Sequence, residues 1–228
     1  LTAARQEDNG GFDLDMWGTI VDRDGVVCAV AFTGDDRGSQ WPGSRVISAQ
    51  KANTANAFSL PANANNVGFP DGLALSTANL YTAVQSGGSL FGLQESNPVN
   101  TEAAYKGSPH KYGQAKDPLV GNKIGGVNVF GGGLALYNGE GNLVGAIGVS
   151  GDTSCADHEI AWRTRNALEL DFVPAGVSGD ATHPDNIVYD ITPQEGQMSG
   201  LSTSGWGHPE CVETANEKDL PVVRTVSP

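Results

Sequence analysis

The sequence predicts an α+β domain. Three observations point to it. Apolar, β-branched runs are separated by Asp/Gly or Asn/Gly turns. Longer alanine-containing stretches with helical spacing follow them. This strand–turn–strand–helix order occurs twice, over residues 17–59 and 134–170. Two adjacent hairpins can share one antiparallel sheet, and two helices can cover its faces.

The first unit follows a short N-terminal stretch, residues 1–6, that reads as the tail of a helix. Residues 16–21 are apolar enough for a strand, Asp22-Arg23-Asp24-Gly25 is a turn, and residues 26–32 form a second strand. A loop leads to a helix over 44–59, with Ser44 as its N-cap and Ile47, Ala52, Ala55 and Phe58 on its apolar side. In the second unit, residues 127–130 read as a short strand before Gly131-Gly132-Gly133. Strands over 134–137 and 142–149 flank Asn138-Gly139-Glu140-Gly141. A helix then runs from about 154 to 170, with capping-box-like spacing of Ser154 and Asp157 and with Ile160, Thr164, Ala167 and Leu168 facing the core. Between the units lies a long insert, residues 60–126, helical over 73–85 and turn-rich beyond. The proline-punctuated tail, 171–228, is expected to wrap the domain. The whole chain, 1–228, thus reads as one domain with a core of 12–59 and 127–170.

The composition limits the functions available. Among 228 residues, 39% are hydrophobic, enough for a sizeable core, and the net charge is −13. A surface of that sign repels phosphate backbones and anionic lipid, so neither nucleic-acid nor membrane-surface binding is expected. No apolar run approaches the roughly 20 residues that span a bilayer. Cys28 sits in the apolar run Val26-Val27-Cys28-Ala29-Val30 and is expected to be a buried thiol, whereas Cys155 and Cys211 lie in polar, Gly-containing surroundings and are paired as a disulfide. Such a bond places the chain in an oxidising compartment, periplasmic or secreted. A first residue other than Met is compatible with a removed presequence or with disordered residues before Leu1.

Several of these residues together resemble a known family. Val21-Asp22-Arg23-Asp24-Gly25, Lys51-Ala52, the triple glycine at 131–133 and Gly145-Ala146-Ile147-Gly148-Val149-Ser150-Gly151 followed by Asp157-His158-Glu159-Ile160-Ala161 are similar to the GlcG/HbpS haem-binding family. The resemblance covers both units, roughly half the chain. The insert and the Cys-containing tail depart from the short members and look like an elaborated, exported branch. It implies a profilin-like fold, a five-stranded antiparallel sheet flanked by helices. It also implies homo-oligomers and binding of haem or a related tetrapyrrole.

Candidate site residues each carry a second reading. His158, nearest the signature, is either an iron or metal ligand or a solvent-facing or capping residue. His110, in the insert, is either an axial ligand or a surface histidine. Lys51 and Arg45 can meet acidic ligand groups from one helix, and Gly151 opens a helix N-terminus able to hold a carboxylate or propionate. Phe130, with Phe91, Tyr105 and Tyr112, offers aromatic walls for a flat ligand or packing for an interface. Ser150 lies in Gly-Val-Ser-Gly, which is not a nucleophile elbow, so it is a binding candidate and no catalytic residue is named. The glycines at 145, 148 and 151 follow a hairpin, not a βαβ unit, and are read as packing glycines. Neither His183 nor His208, both placed before a proline in the tail, has a partner at metal-ligand spacing such as HxxxH.

The expected function is therefore extracytoplasmic haem binding, for sequestration, carriage or sensing. Two alternatives stand beside it: a multimeric or partner-binding scaffold without a cofactor, and a small-molecule enzyme acting on a hydroxy acid or aldehyde.

Overall fold

A computed structural model describes residues 1–195, 200–213 and 219–226. In chain order the elements are α1 (Thr2–Arg5), β1 (Trp17–Asp22), β2 (Val27–Phe32), α2 (Ser44–Phe58), α3 (Tyr81–Val84), α4 (Leu93–Ser96), α5 (Thr101–Ala104), β3 (Gly133–Tyr137), β4 (Leu143–Ser150), α6 (Ser154–Ala167), β5 (Ile191–Thr192) and β6 (Leu201–Ser202). Single 3₁₀ turns cover Thr77–Leu80 and Pro109–Lys111.

Both predicted hairpins form, and for the same local reason. In the first turn the Asp22 carboxylate accepts the backbone N–H groups of Asp24 and Val26, at 2.9 Å each. In the second, Asn138 Oδ1 accepts from Glu140 and Asn142, at 3.1 and 3.0 Å. Each side chain closes the turn on its own backbone. The hairpins join through β1 and β4, which pair antiparallel from Trp17↔Ser150 to Asp22↔Gly145. The sheet order is β2-β1-β4-β3.

The helices cover opposite faces. Val46, Ala49, Ala52 and Ala55 of α2 pack with Trp17, Val21, Val27, Val30 and Ala146, joined by Ala103, Ala104, Leu119 and Ile124 of the insert. Ile160, Ala161 and Trp162 of α6 pack with Met16, Leu134, Leu136, Ile147 and Val149, and Leu220 of the tail joins them. The Cys155–Cys211 disulfide is present, with Cα atoms 6.0 Å apart. The Trp162 indole donates to Pro221 O at 2.8 Å, which ties a second point of the tail to α6.

Several expectations are corrected. The sheet has four strands among the described residues, where the resemblance implies five. Beside β3 the chain at Asp171 makes only one parallel bridge, to Tyr137. Residues 127–130 form no strand, because the N–H groups of Asn128 and Phe130 are taken by Thr54 Oγ1 and Asn128 Oδ1. Helix in 73–85 is confined to Thr77–Val84, where Ser76 and Asn79 make the capping box. Gly43, not Ser44, caps α2, and Thr153, not Ser154, caps α6 by accepting from Ala156 N. Helix α6 ends at Ala167, leaving Ala167 and Leu168 exposed. Cys28 is exposed because the β1–β2 register jumps from Ile20↔Ala29 to Val21↔Val27, which leaves Cys28 as the extra, unpaired residue of a β-bulge. Ile47 and Phe58 are only half-buried; the apolar side of α2 is carried by its alanines.

Candidate functional site

Two concavities lie on either side of the segment Trp41-Pro42-Gly43 that leads into α2. The larger, a cleft of about 460 Å³, has Trp17 in its lining, with Asp36, Arg37, Gly38, Pro42 and Gly43 from the 34–43 loop. Tyr105, Pro109 and Tyr112 of the insert complete it. The loop is shaped by Asp36, whose Oδ1 accepts from Gly38 N at 2.6 Å, and by Gln40, whose Nε2 donates to Asp36 O at 2.6 Å. The insert wall is fixed from behind. Asp117 accepts from Arg45 Nε at 3.0 Å and from the backbone N–H groups of Gly113 and Leu119 at 2.7 and 2.8 Å. The Arg45 guanidinium lies 3.5 Å from the centre of the Tyr112 ring. Tyr105 is 66% exposed, and the buried Trp17 indole N–H finds no acceptor among the described residues. Apolar walls and the Arg37 guanidinium meet in one cleft.

The smaller pocket, about 340 Å³, is polar inside and aromatic at the rim. Trp41 and Phe130 are about half exposed, while Lys51, Asp157, Ser44 and Ser150 are buried. Lys51 Nζ donates to Asp157 Oδ2 at 2.7 Å and to Val149 O at 3.0 Å. The other carboxylate oxygen accepts from Asp152 N at 2.9 Å. Burial pushes the Asp157 carboxyl up to about 6 against the pull of Lys51, and burial also depresses the Lys51 ammonium. Ser150 Oγ donates to Ser44 Oγ at 3.2 Å.

The structure therefore brings Lys51, Phe130 and Ser150 to one pocket, as binding candidates from distant parts of the chain. Arg45 and Lys51 do not present free cations, since each is buried against an aspartate of this chain. Gly151 lines neither concavity. A Cβ there would stand 2.3 Å from Asp15 O, so its role is close packing. The helix start beyond it is already satisfied by Asp157 and Thr153. His110 is exposed on the turn whose Pro109 lines the larger cleft. His158 is neither solvent-facing nor a cap: it is 1% exposed, beside Trp162, away from both concavities. Phe91 is exposed and lines neither.

Sequence reasoning missed Trp17, Arg37 and Trp41 as lining residues and Asp117 and Asp157 as the partners of the buried cations. The available signal was Trp41-Pro42-Gly43, an exposed aromatic placed directly before a helix.

The buried histidines make stability depend on pH. Burial lowers His158 from an ordinary 6.5 to about 3 and His208 to about 4. Between these values and 6.5 the unfolded chain binds protons that the folded chain refuses. Their contribution is fully present above pH 6.5 and is lost as pH falls toward 4. Asp157 acts oppositely, because its folded carboxyl takes a proton near 6 and its unfolded one near 3.8. Two groups outweigh one, so the urea midpoint is expected to drop from neutral pH to about pH 4.5. In Asp157→Asn the drop is expected to steepen; an unchanged slope would contradict the assignment.

Comparison with known proteins places this architecture. No curated protein matches the chain. Among solved structures, a crystal structure of a PduOC–haem complex is 24% identical, with a TM-score of 0.43, covering 68% of this chain and 78% of that one. The Klebsiella pneumoniae protein ORFY is also 24% identical, with a TM-score of 0.41 and the same coverages. The family described as "Haem degrading protein HbpS-like" matches residues 2–165, which hold the sheet, α2, the insert and nearly all of α6, and the chain belongs to that HbpS-like family.

Proposed function

We propose that the chain is a haem or related tetrapyrrole-binding protein and that the ligand enters the larger cleft. Membership of the HbpS-like family carries the choice of ligand. The cleft carries the choice of place. Trp17, Pro42, Tyr105 and Tyr112 provide apolar walls for a flat macrocycle, and Arg37 provides a cation for a propionate. The bound group would supply its iron and its absorption. On the protein side, Tyr105 and Tyr112 line the cleft and His110 stands on the turn beside it; Tyr112 is engaged by Arg45 and its hydroxyl by Lys106 O, which leaves Tyr105 and His110 as the candidates to face iron. The smaller pocket suits haem less well, because no His, Tyr, Cys or Met lines it and its lysine is held by Asp157. Lys51, Phe130, Ser150 and Gly151 thus leave the proposed haem site, and His158 is too buried to reach it. The reading includes export, self-assembly and a single profilin-like domain with sequestration, carriage or sensing as its role; the disulfide supports export.

Haem titration tests it. The expected result is a saturable Soret shift at one haem per chain. Tyr105→Phe and His110→Ala are the ligand tests: the variant lacking the iron ligand changes the spectrum. Absence of saturable binding would overturn the reading and favour a cofactor-free scaffold or a small-molecule enzyme.

A further inference from the structure

The disulfide is not alone at its end of α6. One ligand atom from each of Cys155, Cys211 and His208 lies within 4.8 Å of the others. Cys155 and His208 are buried, at 2% and 4% exposure, and Cys211 is half-buried, giving access from one side. Cys155 N donates to Cys211 Sγ at 3.2 Å, from the first turn of the 14-residue helix α6. The Cys211 sulfur thus faces one backbone N–H at the positive end of the helix, which favours a thiolate.

The imidazole is oriented for ligation by the groups around it. His208 Nδ1 lies 2.7 Å from Pro209 O, and a carbonyl can only accept, so Nδ1 carries the proton. Nε2 then presents a lone pair, which accepts a hydrogen bond from the Ser154 hydroxyl at 2.8 Å. Gly131 N donates to the same hydroxyl oxygen at 2.6 Å, leaving its hydrogen free for the histidine. A ring N–H held by a backbone carbonyl is the arrangement that fixes metal-binding histidines. Burial keeps this ring neutral, with its pKa pushed down to about 4. The edge of the Tyr81 ring contact, 5.1 Å between centroids, restrains it further.

We propose that reducing the Cys155–Cys211 disulfide converts this cluster into a Cys₂His site for a thiophilic divalent cation such as Zn²⁺. A tetrahedral Zn²⁺ with Zn–S of about 2.3 Å needs its sulfurs roughly 3.8 Å apart. Cα atoms 6.0 Å apart allow that by side-chain rotation. The cation would displace the Ser154 hydroxyl from Nε2, and water would fill the fourth position. A trialkylphosphine can supply the electrons: it takes oxygen from water to become the phosphine oxide and leaves two thiols. Both thiol protons pass to solvent as the thiolates bind the cation, and the neutral imidazole releases none. Disulfide and metal are thus alternative staples between α6 and the tail.

The test uses the full chain carrying Cys28→Ser, which removes the exposed third thiol. After phosphine reduction and its removal, Co²⁺ is added as the spectroscopic probe. The reduced protein is expected to bind one Co²⁺ with a thiolate-to-cobalt charge-transfer band that Zn²⁺ displaces. The oxidised protein gives no such band. His208→Ala is expected to weaken binding at least about tenfold. Should reduction unfold the chain, Zn²⁺ is expected to restore its circular dichroism, and to fail in His208→Ala. A folded reduced protein without stoichiometric cobalt, an unfolded one that Zn²⁺ does not rescue, or equal binding by His208→Ala would overturn the proposal.

Discussion

Gly148→Ala is expected to abolish the native packing of β4 against α2. A Cβ on Gly148 would stand 1.9 Å from Ser48 O and 2.6 Å from Ala52 N. Both are backbone atoms of α2, so no side chain can swing aside. Helix and strand would have to separate at the centre of the sheet, where β4 pairs with both β1 and β3. A loss above about 4 kcal/mol is expected, a large share of the roughly 5–15 kcal/mol that holds a typical domain folded. Soluble yield and the urea midpoint report it. Gly43→Ala is the control: its φ is −64° and an added Cβ meets nothing within 4 Å, so a near-native midpoint is expected. Gly148→Ala with a native midpoint would contradict the packing described.

Asp117→Ala is expected to cost about 3–5 kcal/mol, the usual penalty for removing one partner of a buried ion pair. The change strands the Arg45 guanidinium, which is 2% exposed, and removes the acceptor of Gly113 and Leu119 N–H. Arg45 Nη1 would retain only Ala104 O, at 3.0 Å. The consequence reaches the cleft, because the 105–113 wall is held to α2 through this aspartate. Haem affinity is expected to fall together with the urea midpoint. The double replacement Arg45→Met with Asp117→Leu should recover much of the stability, since it leaves no charge unpaired. It should recover less of the haem affinity, because Tyr112 loses the guanidinium stacked on it.

Both effects show where the chain is legible and where it is not. The hairpins are legible because their information is local: Asp22 and Asn138 close their turns within four residues. The two long helices are legible for the same reason, although their N-caps move by one residue and α6 ends at Ala167, three residues short of its expected end. The glycines of β4 were readable as close packing, and the contact of Gly148 with α2 agrees. Buried charge is not local. Arg45 and Asp117 are 72 positions apart, Lys51 and Asp157 are 106 apart, and neither pairing leaves a periodic trace. Each arginine or lysine therefore reads as an exposed helix cation until the fold supplies its partner. Cys28 fails differently: an apolar run does not reveal that β2 is an edge strand with a bulge at this residue. Part of the site was legible as residues but not as a place. Lys51, Phe130 and Ser150 do meet, yet the cleft proposed for the tetrapyrrole is made by Trp17, Arg37 and the insert.

Haem affinity in Gly43→Trp measures the central claim most directly. Gly43 lines the larger cleft, its backbone is helical, and the space beyond its Cβ is open, so the indole can fill the cleft without strain. The account predicts a fold and urea midpoint like the parent's with haem binding weakened at least about tenfold, or roughly 1.4 kcal/mol. Saturable haem binding at the parent's affinity would place the ligand elsewhere and contradict it.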